Sequence, residues 1–545
     1  MVSAARPVPM PARESSVARG STAVVGRRVG TIASLTLAIA DPAVTEIVIE
    51  PGVYVEHVTV ARRAQPLVIR SSTGRAEDVT LTFSLHQGAR DRTGMPVVQD
   101  CATLTIDADD ISLCDLTVVN GFDKRLHPDW PDTQALALRT RGDRILVQRC
   151  RLLGQQDTVL LDAPGWASVR RVHLRDCEIE GDVDFVYGRA TALIEGGEIR
   201  SMAPGYVLAP STARENPRGI LVHGARLTCT DGVPSGSVKL GRPWHPGGKP
   251  DAVGQGIISR CELGPHIDAE PWAEMGGFAW QDARFAEYGN TGPGAGDRSL
   301  PTEDSPDPAT WLDVPEPEPG RRPRVLVLTD SPAGRGPADR APGDAWGLHL
   351  TARIAGEVAH HEVAARGAAL DIVEEQLDAA LDEVLPGDLV LIGFGNPEET
   401  IDEARGADVV TAYPSGVRRC LVGVRARGGR PVLLTPIERR RFEGGRAVLG
   451  RSGCAQMVRT IAAEEEVPLI DLSQRSVAMW DADGEGLSPR EVLHAAPEQR
   501  GEDPGGAADS PADSPRRGGA EAECLAAGRL AAAVADELHR LGLLP

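Results

Sequence analysis

The 545-residue sequence predicts two fold classes in series, an all-β parallel β-helix over residues 21–295 and an α/β domain over residues 323–545. Three observations carry this reading. The first half is a succession of short β-like runs without helical periodicity. One block within it recurs at a fixed offset. After a Pro-rich interruption the rhythm changes to strand followed by helix.

The β-like runs lie at 46–50, 67–71, 102–106, 110–119, 135–139, 145–150 and 172–179. They are rich in Val, Ile, Leu and Thr and are separated by Gly, Asp and Asn, the residues that punctuate strands. The repeat is Cys150-Arg-Leu-Leu-Gly154-Gln-Gln-Asp157, echoed 27 residues on by Cys177-Glu-Ile-Glu-Gly181-Asp-Val-Asp184. Weaker echoes occur at Cys114-Asp-Leu-Thr and Cys261-Glu-Leu-Gly264. A period of this size with β content indicates a solenoid of stacked coils. The repeated cysteines then form an internal ladder of small buried side chains.

Residues 296–322 are dominated by Pro, Glu, Asp, Gly and Ser, including Pro315-Glu-Pro-Glu-Pro-Gly320, and read as an extended linker. Beyond it, strands are expected at 324–328, 389–394, 432–435 and 467–471. Helices are expected at 348–358, 373–384, 456–465 and 522–541. Alternating β and α with short connections implies a parallel sheet covered by helices. The Pro/Gly/Asp/Ser-rich stretch 498–519 reads as a loop.

A formal charge of −20 argues against nucleic acid as a partner, because phosphate binding needs a basic face. It also requires that any polyanionic substrate be met by locally placed arginines, since lysine occurs only at Lys124, Lys239 and Lys249. No apolar run reaches the ~20 residues of a membrane span. Met1 to Gly20 shows no apolar signal core, so the chain at face value is soluble and cytosolic. A monomer is expected. Nine cysteines without CxxC or Cys/His spacing indicate neither a disulfide framework nor a zinc site.

Chemistry enters with the repeat. Equivalent positions in consecutive coils stack about 4.8 Å apart, so Asp157 and Asp184 become neighbours. Two such carboxylates titrate together and can divide the roles of nucleophile and general acid/base. The alternative is that both merely accept backbone N–H bonds at coil corners. Gln155 and Gln156 precede Asp157, and Gln134 opens the previous strand-like run. Side-chain amides beside a carboxylate pair suit the oxyanion of acyl transfer better than glycoside cleavage.

These segments resemble the pectin methylesterase family, and the motifs occur in order. Gly52-Val-Tyr54-Val-Glu56 resembles G-x-Y-x-E, and Gln134-Ala-Leu-Ala-Leu138 resembles Q-A-V-A-L. Gly154-Gln-Gln-Asp157-Thr158 resembles G-x-Q-D-T, and Gly181-Asp-Val-Asp184-Phe185-Val-Tyr187-Gly188 resembles G-x-V-D-F-I-F-G. Leu240-Gly-Arg242-Pro-Trp244 matches L-G-R-P-W, and 285–295 matches the closing F-x-E-Y-x-N-x-G-P-G-A. The resemblance implies a right-handed parallel β-helix that hydrolyses methyl esters of polygalacturonate or its oligosaccharides, without metal or organic cofactor. It also implies Asp184 as nucleophile, Asp157 as acid then base, Gln134 and Gln156 at the oxyanion, and Arg242 holding Asp184. Trp244, Tyr187 and Phe185 would contact substrate. Tyr54 and Glu56 read as structural, and Trp272 and Trp280 as packing.

The second half resembles GDSL-type esterases of the rhamnogalacturonan acetylesterase group, which implies a three-layer α/β hydrolase fold. Leu328-Thr-Asp330-Ser331 stands where G-D-S is expected, Trp346-Gly347 resembles the second block, and 435–442 resembles T-P-V-x-R-x-F. The catalytic blocks depart from the pattern. Asn396-Pro397-Glu398 replaces H-N-D, and Asp513-Ser-Pro-Arg516 lacks the final histidine of D-x-x-H. A serine nucleophile without its base loses several orders of magnitude in rate, so Ser331, Gly347, Asn396 and Asp513 read as a vestigial second site. The competing readings for the whole chain are a β-helical polygalacturonase or pectate lyase, and a non-catalytic carbohydrate-binding protein.

Overall fold

The computed structural model describes residues 21–26, 34–166, 168–296, 304–313, 323–329, 350, 353–354, 358–362, 374–393, 406–438, 442–449, 453–483 and 517–544. The chain divides into two units, Met1–Asp313 and Val314–Pro545. Ser331, Gly347, Asn396 and Asp513 lie outside the described residues, as do Met1 to Gly20 and the 498–516 part of the expected loop.

The first unit is a parallel β-helix. One face is a ten-stranded parallel sheet running from Ser21–Val25 through Ile111–Cys114, Ile145–Gln148 and Arg171–Arg175 to Arg284–Tyr288. A thirteen-stranded sheet supplies the other two faces, which are bridged by the long strands Glu178–Gly188 and Glu198–Pro210. Alternate Val, Ile and Leu side chains point inward, and one apolar core runs from Ala23 to Ala295.

Two of the expected runs, 110–119 and 172–179, are each broken into two strands by a corner. At that corner Asp115, Arg149, Asp176, Gly196, Gly224 and Arg260 all take left-handed φ between 49° and 66°. The inter-coil ladder continues through it, with Arg149 N donating to Arg175 O at 2.9 Å and Asp176 N to Glu195 O at 2.8 Å. The residues that follow form the inward column Leu116, Cys150, Cys177, Gly197, Ala225 and Cys261. The cysteine ladder is therefore real for Cys150, Cys177 and Cys261. Cys114 is out of it: it pairs with Gln148, two residues off the echo, and Leu116 takes its rung. Gly197 is required by both shape and space, since its φ is 73° and a Cβ there would lie 2.1 Å from the Cys177 carbonyl oxygen.

Glu56 fixes the first coils as expected. Its carboxylate accepts from Leu35 N (3.0 Å), Thr36 N (3.1 Å) and the Ser34 hydroxyl (2.6 Å), capping the helix Leu35–Ala40. Tyr54 donates its hydroxyl to Glu50 O at 2.9 Å. Trp272 stacks on Phe285 at 4.6 Å, a packing role. Part of the expected linker is ordered against the first unit. The short helix Pro308–Trp311 buries Trp311 beside Leu193, Leu221 and Ile257. Trp311 Nε1 donates to Ala192 O at 2.9 Å, and Arg218 donates to the carbonyls of Thr310, Trp311 and Asp313.

The second unit contains a five-stranded parallel sheet in the order Val358–Glu362, Val325–Thr329, Leu389–Gly393, Arg430–Leu434, Leu469–Ile470. The strand Val358–Glu362 was not anticipated, because its His-His-Glu tail masks the apolar alternation of a strand. It meets the helix expected at 348–358 only at Val358, and Leu350 within that range is helical. The helices Gly406–Ala426 and Leu472–Asp483 were not anticipated, the first because Pro414 interrupts its pattern. Among the described residues no helix is long and apolar enough to cross a membrane.

Candidate active site

The site is built where the 27-residue repeat places it. Arg151 pairs with Glu178 and Leu153 with Glu180, and beyond the turn Val159 pairs with Val186 and Leu160 with Tyr187. The offset is the same on both sides, so Asp157 and Asp184 sit opposite each other, one strand spacing of about 4.8 Å apart in the backbone. Asp157 N donates to Val183 O at 3.0 Å. Both aspartates take left-handed φ, 65° and 50°. This twist interrupts strand alternation, turning both carboxylates outward while the residues after Asp184 turn in. The glycine three residues before each aspartate makes room for it. A Cβ on Gly181 would lie 2.2 Å from Phe185 Cβ, and one on Gly154 would lie 2.8 Å from Thr158 Oγ1.

That geometry corrects one expectation. Phe185 is fully buried in the β-helix core, so it cannot touch a substrate. Because the chain twists at Asp184, both Phe185 and Val186 face inward, and Tyr187 is the next residue on the outer face. Tyr187 packs with Leu136, Leu160 and Ala209 in a cluster on that face. Trp244 meets it edge-on at 5.3 Å.

Arg242 forks onto Asp184, with Nε to Oδ1 at 2.9 Å and Nη2 to Oδ2 at 2.6 Å. The same guanidinium lies 3.9 Å from the centre of the Tyr206 ring. Asp157 is 9% exposed and Asp184 is 5% exposed. Burial first, and then the charge of Asp184, push the Asp157 carboxyl up to about 8. Burial also lifts Asp184 above its ordinary value, but the Arg242 hydrogen bonds and charge oppose that rise. At neutral pH the pair thus keeps one proton, on Asp157.

Gln134 belongs to the preceding coil, where Ala135 N donates to Gln156 O at 3.1 Å. Its Oε1 is buried without a hydrogen-bond partner among the described residues. Gln156 is half-buried on the turn that carries Asp157. Gln155 has a different task. Its Nε2 donates to Asp123 Oδ1 (2.8 Å) and its Oε1 accepts from Lys124 N (3.1 Å), which staples the loop after Asn120 to the site.

Three contributors escaped the sequence reading. Gln87 donates Nε2 to Asp157 Oδ2 at 3.4 Å, and its backbone N donates to Gln134 O at 2.8 Å. Lys124 pairs with Asp182 at 2.7 Å, and its charge favours the ionised forms of both Asp157 and Asp184. Asn120 is buried and donates Nδ2 to the carbonyls of Leu85 (2.9 Å) and Leu136 (2.9 Å), tying the Gln87 loop to the Gln134 coil. Gln87 and Lys124 reach the site through irregular loops, where no period marks them, and Asn120 ends the strand Thr117–Asn120 at the point where such a loop begins. The scarcity of lysine was the one signal that could have singled out Lys124.

The arrangement offers an ionised, oriented carboxylate, a protonated one beside it, nearby amides and an aromatic wall, the set required for acyl transfer through a carboxylate nucleophile. The first half of the chain is similar to known proteins. A family model described as Pectinesterase matches residues 28–300. A pectinesterase of Ralstonia solanacearum is 29% identical over 302 residues, covering 48% of this chain and 76% of the relative. Pectinesterase A of Dickeya dadantii (strain 3937) is 31% identical over 286 residues, covering 46% of this chain and 75% of the relative. Among solved structures, a pectin methylesterase in complex with hexasaccharide VII is 27% identical, with a TM-score of 0.46 over 53% of this chain and 94% of that one. The pectin methylesterase PemA from Erwinia chrysanthemi is 26% identical, with a TM-score of 0.46 over 52% of this chain and 93% of that one.

Proposed function

The chain belongs to the pectinesterase family, and from that premise we propose how its own residues carry out the reaction. It is a carboxylic ester hydrolase acting on the methyl esters of pectin. The observation that carries the mechanism is the division of one proton between two stacked carboxylates, Asp184 forked by Arg242 and Asp157 raised to about 8.

An Asp184 oxygen attacks the C6 carbonyl of a methylated galacturonate unit. The tetrahedral oxyanion is met by the amides of Gln134 and Gln156. As the C–O bond to the methoxy group breaks, Asp157 transfers its proton to it and methanol leaves, with an anhydride between substrate and Asp184 remaining. Water then attacks the anhydride carbonyl while Asp157 takes a water proton. Asp184 departs as carboxylate, Asp157 is reprotonated and the product carries a free acid. The sum is ester plus water to acid plus methanol. Tyr187 and Trp244 hold the sugar ring against the pair. The inverting glycosidase alternative is disfavoured because its two carboxyl groups stand about 6.5–9.5 Å apart to admit a water, wider than one strand spacing.

Methanol release from highly methylated pectin, measured for the parent and for Asp184→Asn, tests the reading. Release by the parent alone is expected; no release by folded parent, or undiminished release by Asp184→Asn, overturns it.

For the second unit we propose a degenerate GDSL-type esterase-like domain that follows a linker and has lost its own catalysis. A parallel five-stranded sheet and the departures at Asn396 and 513–516 support this. Hydrolysis of p-nitrophenyl acetate by the full chain that survives Asp184→Asn and vanishes in Ser331→Ala would refute it.

A further inference from the structure

Asp157 must give and regain a proton in each turnover, and the resting site is poorly equipped for its ionised state. Its carboxyl is buried, and the one hydrogen bond to it from the described residues is that of Gln87 Nε2, at 3.4 Å. A buried carboxylate with so few donors is costly once it is ionised.

A donor without an acceptor stands beside it. Tyr187 pairs with Leu160, so it follows Asp184 along its strand as Leu160 follows Asp157. Its side chain lies on the outer face to which both carboxylates turn, and it is only 3% exposed. The walls around it offer no side-chain acceptor. Ala102, Leu136, Leu160 and Ala209 are apolar, and Cys101 Sγ is directed to the Gln134 carbonyl at 3.9 Å. The hydroxyl has no hydrogen-bond partner among the described residues. It faces the Asp157 carboxyl at the edge of hydrogen-bonding reach, and it favours the ionised form of that residue. The other titratable and charged groups that face Asp157 are Asp184, Lys124 and Arg242, and those that face Tyr187 are Cys101 and Asp162. A buried hydroxyl left unpaired calls for a role. The motif G-x-V-D-F-I-F-G, which residues 181–188 resemble, has phenylalanine here, so the ring is shared and the hydroxyl is this chain's addition.

We propose that Tyr187 is a positioning residue for the second half of the reaction, its hydroxyl donating to Asp157 once that carboxyl has given its proton to the departing methoxy group. This rests on the esterase reading and deepens it. When the anhydride forms, Asp157 is left as a carboxylate that must be aimed at water. Tyr187 and Gln87 then hold it from two separate elements, the strand Glu178–Gly188 and the loop after Phe83. Tyr187 keeps its own proton throughout, because burial lifts the phenol well above its ordinary value. The proton drawn from water goes to Asp157 alone, and no further reactant enters.

Tyr187→Phe in the full chain removes one oxygen and keeps the ring against Trp244 and Leu136. On highly methylated pectin it is expected to lower kcat about tenfold, the scale of one hydrogen bond to a charged group. The alkaline limb of its kcat/KM profile is expected to move up by about one pH unit, because ionised Asp157 loses a donor. A role in ring packing alone would leave the limb in place. An unmoved limb, with or without a fall in kcat, overturns the proposal. Denaturant unfolding gives a readout independent of turnover. The parent's stability falls as pH rises to about 8, and in Tyr187→Phe that fall should continue about one unit further. If the parent releases no methanol, the esterase reading fails. The unfolding profiles then still decide whether the hydroxyl acts on Asp157: an upward shift upholds that contact, and coincident profiles overturn it.

Discussion

Arg242 grips Asp184 by both carboxylate oxygens while its guanidinium rests on the Tyr206 ring, so the nucleophile is aimed by a side chain that is itself held from behind. Lysine can supply the charge but not the fork. Arg242→Lys is expected to lower kcat about 10²-fold, the effect of misplacing a reacting group by about an ångström. The fork also holds the Asp184 carboxyl down against burial. Its loss moves the acidic limb of the kcat/KM profile to higher pH, which a pH–rate comparison with the parent checks.

The proton on Asp157 sets the other limb. Activity should fall as pH rises through about 8, where Asp157 loses the proton it gives to methanol. Asp157→Asn should lower kcat by about 10²–10⁴-fold.

The same shift has a stability consequence of definite sign. The folded state holds a proton on Asp157 that the unfolded chain releases near its ordinary value of 3.8, so folding stability falls as pH rises from there to about 8. Asp157→Asn removes that loss. The inactive variant should be more stable than the parent by about 1–2 kcal/mol at pH 8 and no more stable at pH 3.5, measured by denaturant unfolding.

Gln87 donates to the Asp157 carboxylate and so favours its ionised form. Gln87→Ala should cost about tenfold in kcat and move the alkaline limb upward. A purely structural role would lower stability without moving that limb.

Gly181 has no room for a side chain beneath Phe185 and the Gln155 carbonyl. Gly181→Ala is expected to destabilise the fold by about 1–3 kcal/mol, because its Cβ meets the Phe185 side chain. Adding Phe185→Leu should recover little of the loss, because leucine keeps the Cβ and Cγ that the new methyl would meet at 2.2 and 2.5 Å. The Gln155 carbonyl oxygen also stays, at 2.6 Å; a double-mutant cycle checks this. A change in KM from Phe185→Leu with unchanged stability would return Phe185 to the substrate.

The coil stack was legible because its register is local arithmetic: the 27-residue offset reads directly as Arg151 opposite Glu178 and brings the aspartates together. Where the backbone leaves regular geometry, that arithmetic stops. Left-handed corners divided runs that look continuous in sequence, and the twist at Asp184 reversed the facing of Phe185. Cys114 imitated a rung that Leu116 occupies, since identity of residue is a weaker guide than register. Gln87, Lys124 and Asn120 act over sequence separations of 70, 58 and 16 residues, and only folding brings them to the site.

Successive coils of this helix are unequal. Across the stack, equivalent positions are 34, 27, 20, 28 and 36 residues apart, yet the corner and the inward column keep their alignment throughout. Excess length is expelled as loops, and those that follow Phe83 and Asn120 deliver Gln87 and Lys124 to the carboxylate pair. Such a frame separates inheritance from invention. The rungs tolerate little change because each is shared by two neighbours, whereas a loop can grow, shrink or be exchanged without disturbing any rung. New substrate preferences can therefore arise by remodelling the banks of the groove while the reacting pair stays where the repeat put it.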